Sequence, residues 1–499
     1  MTGTAPPDAD QPPIAGDDRF TNSDLSPVPQ SERHWTTYNF AALWIGMAVN
    51  IPSWTLASGL VALGMDWKQA VLTIALGNVI VLLPMLLTGH AGPKYGIPFP
   101  VLARASFGVV GANLPALLRG LVACAWFGIQ TWIGGQAIYF LGGKAFGSWW
   151  AEAGTVFSYP WTQWLCFLLF LAIEIVVIVR GMDAVRRLEN WAAPLMLLGA
   201  LALLVWIAQK AGGFGPLLDQ PSALGWGADF WKVFFPALMG MIGFWSTLAL
   251  NIPDFTRFGA GQRAQVWGQT LGLPTTMAAF ALLSVLVTSG SQAVYGEPIW
   301  DPSQLAARMD STLGVLFALF IILLATLSTN IAANLVSPAY DLSNLAPRHI
   351  DFRTGALIAC LVGVVIFPWK LIESPSVYIF TWLGTVGGLL GTVAGILIAD
   401  YWLLRRTHLE VTDLYRADGQ YWYRSGWNPA ALVAFAVGGL LAVGGSHSAP
   451  GEGPFPENGL IPLLRPLADY SWAVGLSTSL VLYLLLMRRR TVDRGPAAR

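Results

Sequence analysis

Residues 40–64, FAALWIGMAVNIPSWTLASGLVALG, form an apolar run long enough to cross a bilayer, yet Asn50 and Pro52 stand near its middle. Proline has no N–H to donate and its ring clashes with the preceding turn, so a helix through this run breaks near Asn50 and frees the carbonyls of Gly46 to Val49. In a dry interior such groups persist only where they line a cavity or bind something, and freed carbonyls are ligands for a cation. The same letters return as Asn251-Ile252-Pro253, where an apolar run ends and a charged loop begins. The partner expected for the first break is therefore not the second NIP but the glycine-rich stretch MGMIGFW at 239–245.

The surrounding composition gives that break its context. The 499 residues are 55% hydrophobic and 11% charged, with a mean hydropathy of +0.57, against about a quarter charged in soluble domains. This is the composition of a membrane protein. Basic and acidic residues balance at 28 each, so there is no electrostatic footprint for nucleic acid, and the lipid bilayer is the expected partner. Cys124, Cys166 and Cys360 sit in apolar runs without metal-ligand spacing and read as packing residues. Residues 1–33, rich in Pro, Asp and Ser, read as a disordered tail and lack the apolar core of a signal peptide.

Twelve spans are expected, near 40–64, 70–89, 112–142, 162–180, 189–208, 229–251, 268–290, 311–337, 354–369, 375–404, 428–446 and 469–487. With the N-terminus on the cytoplasmic side, 21 of the 28 Lys and Arg fall in cytoplasmic segments, which supports both the count and the orientation. The expected location is the inner (cytoplasmic) membrane with both termini cytoplasmic.

Twelve spans with an interrupted helix suit a secondary transporter. No Walker A pattern occurs, and the five histidines lie at span edges or in loops, so neither ATP hydrolysis nor membrane-embedded catalysis is expected. Four intramembrane places carry chemistry. Asn50 with Pro52 is the first. In span three, Trp126 and Gln130 share a helix face and offer a flat ring beside an amide, which suits a planar heterocycle with N–H and C=O groups; Trp132 and Tyr139 nearby read as an interfacial belt. In span six, Gly240 and Gly243 loosen the helix before Trp245, a second stacking face, although small residues also serve plain helix packing. In span eight, Ser328, Thr329, Asn330 and Asn334 make the most polar segment, with hydroxyl oxygens for a hard cation on one face and Asn334 on another. Glu174 is the one acid deep in a span, a functional candidate with no partner evident from its neighbours in sequence. Asp400 reads as interfacial.

These motifs carry a family resemblance. GHAGPKYGIPFPVLARASFG (89–108), WFGIQTWIGG (126–135), NIPDFTRF (251–258), LSTNIAANLVSPAYDL (327–342) and IADYW (398–402) resemble the nucleobase:cation symporter family 1, which includes bacterial hydantoin, allantoin and uracil permeases. The resemblance runs from about Trp35 to about Tyr423. It implies an all-α, sodium-symporter-like fold with broken helices one and six. Two inverted five-helix repeats, 34–208 and 229–404, would be followed by a loop at 405–427, two further helices within 428–487 and a basic tail at 488–499. It implies a cation site, for sodium or a proton-coupled equivalent, at the carbonyls of Gly46, Val49 and Ala325 and the hydroxyls of Ser328 and Thr329. It places a substrate between Trp126 and Trp245, with Gln130, Asn334 and Asn50 at its polar edge and Leu383 closing over it from outside. No cofactor is implied. In the hydantoin branch the residue matching Asn50 is glutamine, so the shorter amide here changes the reach, and uracil, hydantoin and allantoin all stay open as substrates. A sensor of such compounds, or an amino-acid symporter on the same fold, are the other readings; the paired tryptophans weigh against the second.

Overall fold

The structure is a computed structural model that describes residues 19–493 except 23, 180, 181 and 347, without the side chains at 179–193, 332, 336, 337, 340, 352 and 489–493. Among the described residues the named elements are helices apart from one short antiparallel pair, Thr155–Val156 with Tyr159–Pro160. The spans are α1 (Thr37–Ala48), α2 (Ile51–Ala62), α3 (Trp67–Gly89), α4 (Asn113–Phe146), α5 (Trp161–Val179), α6 (Met182–Lys210) and α7 (Ala228–Asn251). They continue as α8 (Gln262–Tyr295), α9 (Thr312–Asn334), α10 (Phe352–Val365), α11 (Val377–Leu404), α12 (Pro429–Val443) and α13 (Ser471–Asp493).

Eight of these are long and apolar enough to cross a membrane, α1 and α2 together make a ninth, and three shorter apolar helices, Pro194–Lys210, Arg353–Val365 and Pro429–Val443, fall at the remaining expected positions. Side-chain caps fix where several begin. Asp66 accepts from the Gln69 N–H ahead of α3, Ser311 from Gly314 ahead of α9, and Asn428 from Ala430 ahead of α12. Apolar side chains cover the outside as well as the core: Leu72, Val79 and Leu83 on α3 and Leu165, Leu168 and Leu169 on α5 are all exposed. That surface belongs in hydrocarbon, and the chain is a multi-pass membrane protein.

The first span breaks where its sequence requires. α1 and α2 meet at a 60° bend between Ala48 and Ile51. Span six does not break. α7 is continuous from Ala228 to Asn251, which corrects the expectation of a second interrupted helix. Its glycines are used for close packing instead. A Cβ on Gly243 would stand 2.2 Å from the Leu383 carbonyl oxygen, and one on Gly240 would stand 2.8 Å from that of Ile379, so α7 and α11 touch backbone to backbone.

Three further expectations change. Residues 1–18 of the anticipated tail lie outside the described residues, but 19–33 are folded rather than disordered. The Tyr415 hydroxyl donates to the Leu25 carbonyl at 2.8 Å, Asn22 donates to Ser343 at 2.7 Å, and the Val28 N–H donates to Gly96 at 2.9 Å. This segment lies across the loops at one end of the bundle, the near face. Trp132 is buried among Tyr159, Trp164, Phe167 and Trp369 rather than lying in a belt. Asp400 is buried too, held by Arg405 Nε and the Tyr483 hydroxyl, each at 2.7 Å. The three cysteines are buried and unbridged.

Candidate functional site

At the break, hydrogen bonds that would continue α1 are diverted. Pro52 has no N–H for the Ala48 carbonyl, and the Asn50 N–H turns back to that oxygen at 3.1 Å instead. The Gly46 carbonyl thereby loses its i+4 donor. The Ser53 N–H is captured at 2.7 Å by Asn50 Oδ1, so the Val49 carbonyl loses its own donor as well. These are two of the carbonyls expected at a cation site, and elementary helix geometry releases both. Asn50 Nδ2 donates to the Met47 carbonyl. Both ends of the Asn50 amide are thus spent on capping the break, and its expected place at a substrate's edge is not free in this conformation.

α9 packs against both α1 and α2. On it Ala325, Ser328 and Thr329 are all buried. Gly46 differs: it is exposed, with open space where a Cβ would stand. Ser53 Oγ and Thr326 Oγ1 are buried without hydrogen-bond partners, so this region of α2 and α9 has oxygen-ligand capacity to spare. Among the described residues no group of three His, Cys, Asp or Glu is placed to hold a metal. The donors at the break are neutral oxygens, which suit a monovalent hard cation better than a transition metal.

The aromatic residues converge beside the break. Trp126 on α4 meets Phe244 at 5.1 Å edge to face and Tyr378 on α11 at 6.1 Å. Phe244 in turn meets Trp245 at 4.8 Å, and Trp245 meets Trp44 at 5.2 Å, again near perpendicular. Phe244 therefore bridges the two indoles expected to sandwich a substrate. Gln130, Trp126 and Trp245 are all buried. Gln130 Oε1 and Trp245 Nε1 have no partner, an acceptor and a donor held in an otherwise apolar place.

Asn334 is linked to a network that sequence neighbours did not reveal. Its Nδ2 donates to Asn330 Oδ1 at 2.9 Å, and Asn330 Nδ2 donates to Glu174 Oε1 at 2.7 Å. Thr131 lies 2.8 Å from Glu174 Oε2. Glu174 is fully buried.

Above the aromatic cluster, on the far face, Tyr378 donates to the Pro52 carbonyl at 3.2 Å and so bridges α11 and α2. Tyr378 belongs to a π-helical stretch, Val377–Leu383, that opens α11. Leu383, the expected outer gate, is fully buried with its backbone against Gly243. Beyond this closure remains a cavity of about 150 Å³ lined by Thr55, Gln136, Asp301, Gln304 and neighbours. A cavity of about 480 Å³ lies elsewhere, between the π-helical stretch and Gly453–Phe455.

A family model described as "Permease for cytosine/purines, uracil, thiamine, allantoin" matches residues 27–475. The chain belongs to this family. The allantoin permease of Bacillus subtilis (strain 168) is 41% identical to it over 476 residues, 94% of each chain. Among solved structures, the inward-facing conformation of Mhp1 is similar with a TM-score of 0.78 at 26% identity, over 95% of both chains. The same nucleobase-cation-symport-1 family transporter, closed with bromovinylhydantoin bound, gives 0.73 at 26% identity over 94% of this chain and 95% of that one. As a member of this permease family the chain is a transporter and not an enzyme, and its architecture is the sodium-symporter-like fold.

Proposed function

We propose that the chain imports a small planar amide heterocycle, of the uracil, hydantoin or allantoin type, by cation symport with alternating access. The observation that carries this reading is the aromatic cluster of Trp126, Phe244, Trp245 and Tyr378 with the unpartnered Gln130 carbonyl one helical turn from Trp126 on α4. Flat rings stack on indoles, and a buried acceptor without a donor favours a ligand that brings an N–H. In this reading Phe244 gives way when the ligand enters between the indoles, and Gln130 and Asn334 bond its edge. The family's range and the allantoin permease of Bacillus subtilis support the substrate class.

The coupling ion in this reading is sodium, held by the Gly46, Val49 and Ala325 carbonyls with the Ser328 and Thr329 hydroxyls; the diversion of the Asn50 and Ser53 N–H groups supports it. Ion and substrate shift the conformational equilibrium only by their differential affinity for its states. The near face is cytoplasmic, as the distribution of Lys and Arg indicates, in a cytoplasmic membrane.

Uptake of radiolabelled uracil, hydantoin and allantoin by cells expressing the chain, with and without a sodium gradient, tests the proposal. Uptake of at least one is expected, falling when the gradient is removed and weakening roughly tenfold or more in apparent affinity in Trp126→Ala, because a stacking face is lost. Uptake of none of the three, or a Trp126→Ala variant of unchanged affinity, counts against it.

A further inference from the structure

We propose that Glu174 is a positioning residue that sets which way Asn334 presents its amide, and so which hydrogen-bonding edge of a ligand the site accepts. The inference rests on the proposed contact between Asn334 and substrate. Glu174 lies in the middle of α5 and reaches α4 and α9 at once. Its Oε1 accepts from Asn330 Nδ2 at 2.7 Å, and the same nitrogen lies 3.0 Å from the Phe127 carbonyl. Both are acceptors, so the nitrogen of Asn330 must face them. The Asn330 oxygen then points the other way, where it accepts from Asn334 Nδ2 at 2.9 Å.

Turning either amide over breaks this order. A flipped Asn330 would set its oxygen against Glu174 Oε1 and the Phe127 carbonyl. A flipped Asn334 would set oxygen against oxygen at Asn330. Amide sense is therefore passed from the carboxyl to Asn330 and from Asn330 to Asn334. Asn334 Oδ1 accepts from no described residue, and Gln130 Oε1 on α4 is likewise without a partner. The Asn334 acceptor, its sense fixed by Asn330, selects a ligand that presents an N–H group, as a cyclic amide or ureide does, over one that presents a bare ring nitrogen. Thr131 lets the network close whatever the charge on the carboxyl. Its one hydroxyl proton goes either to Glu174 Oε2 or to the Phe127 carbonyl, each 2.8 Å away; in the second case a protonated carboxyl donates to Thr131 in return.

The test is displacement of tritiated allantoin from the purified full-length protein by uracil and by cytosine. Where uracil carries an N–H beside a C=O, cytosine carries a bare ring nitrogen beside an amino group. The wild type is expected to prefer uracil, and Glu174→Leu should reduce that preference by roughly tenfold, the worth of one well-made hydrogen bond. Asn330→Ala cuts the chain at a second point and should do the same, which keeps the inference testable if Glu174→Leu does not fold. Glu174→Gln keeps an accepting oxygen for Asn330 and an N–H for Thr131, and should restore the preference. An unchanged preference in Asn330→Ala or in a folded Glu174→Leu overturns the inference, as does a Glu174→Gln variant as unselective as Glu174→Leu. If the wild type itself fails to bind all three compounds, or Asn334→Ala binds them as the wild type does, the functional reading fails and the inference with it.

Discussion

The first and sixth spans looked alike as sequences, each an apolar run interrupted by residues that weaken a helix. Only the first breaks. α1 and α2 part at Asn50 because Pro52 removes a donor and Asn50 supplies a cap that keeps the loose ends satisfied. α7 also lacks one N–H, at Pro236, but has no cap like that of Asn50 beside it, and in hydrocarbon nothing else would satisfy the groups a break exposes. Glycine permits an interruption; a missing donor together with a cap compels one. What glycine does for α7 is bring its backbone against α11, a use open to it because Gly240 and Gly243 put no side chain between the two helices.

That contrast can be broken most severely at Gly243. In Gly243→Ala the new methyl meets a backbone oxygen that cannot step aside, so α7 and α11 must separate. The expected cost is about 1–3 kcal/mol with loss of uptake, read by thermal melting in detergent and by transport in cells. The cap on the other side of the comparison comes next. Asn50→Ala strands the Ser53 N–H and the Met47 carbonyl, costs about 1–2 kcal/mol, and is expected to weaken the dependence of uptake on the cation gradient as the Gly46 and Val49 carbonyls re-pair. Asn50→Asp, which keeps the acceptor for Ser53 but not the donor for Met47, should fall between Asn50→Ala and the wild type. The smallest effect belongs to Gly46→Ala. A methyl there meets open space, so the melting temperature should stay within what ±0.5 kcal/mol produces. A large loss of stability at Gly46 would show that α1 packs more tightly than its geometry indicates.

Much of the fold was legible because it depends on local chemistry. Apolar length gave the spans, and Pro52 with Asn50 gave the bend and the particular carbonyls it frees, all within a few residues of one another. Of the candidate site, the pairing of Trp126 with Gln130 was legible because one helix carries both a turn apart. It was not legible where partners are distant in sequence. Glu174 finds Thr131 across 43 residues and Asn330 across 156, and no pattern near Glu174 announces either. Asp400 looked interfacial from its place near a span end, yet Tyr483 comes from 83 residues away to bury it. Phe244 and Tyr378 escaped notice for a related reason. An aromatic residue in an apolar run has no local mark that shows which rings it will meet, and only the approach of α4, α7 and α11 brings Phe244 and Tyr378 against Trp126.

The backbone contact between α7 and α11 also has a mechanical side. Past Leu383, Gly387 faces Gly243, and a Cβ there would lie 2.8 Å from the Gly243 Cα. The middle of α11 is in effect bolted to α7. Any swing of α11 at the far face falls to the seven π-wound residues Val377–Leu383, a lever roughly 10 Å long at ordinary helical rise. Tyr378 sits near its tip, where a small rotation at the pivot becomes the largest displacement and has to part Tyr378 from Pro52 and Ile379 from Gly240.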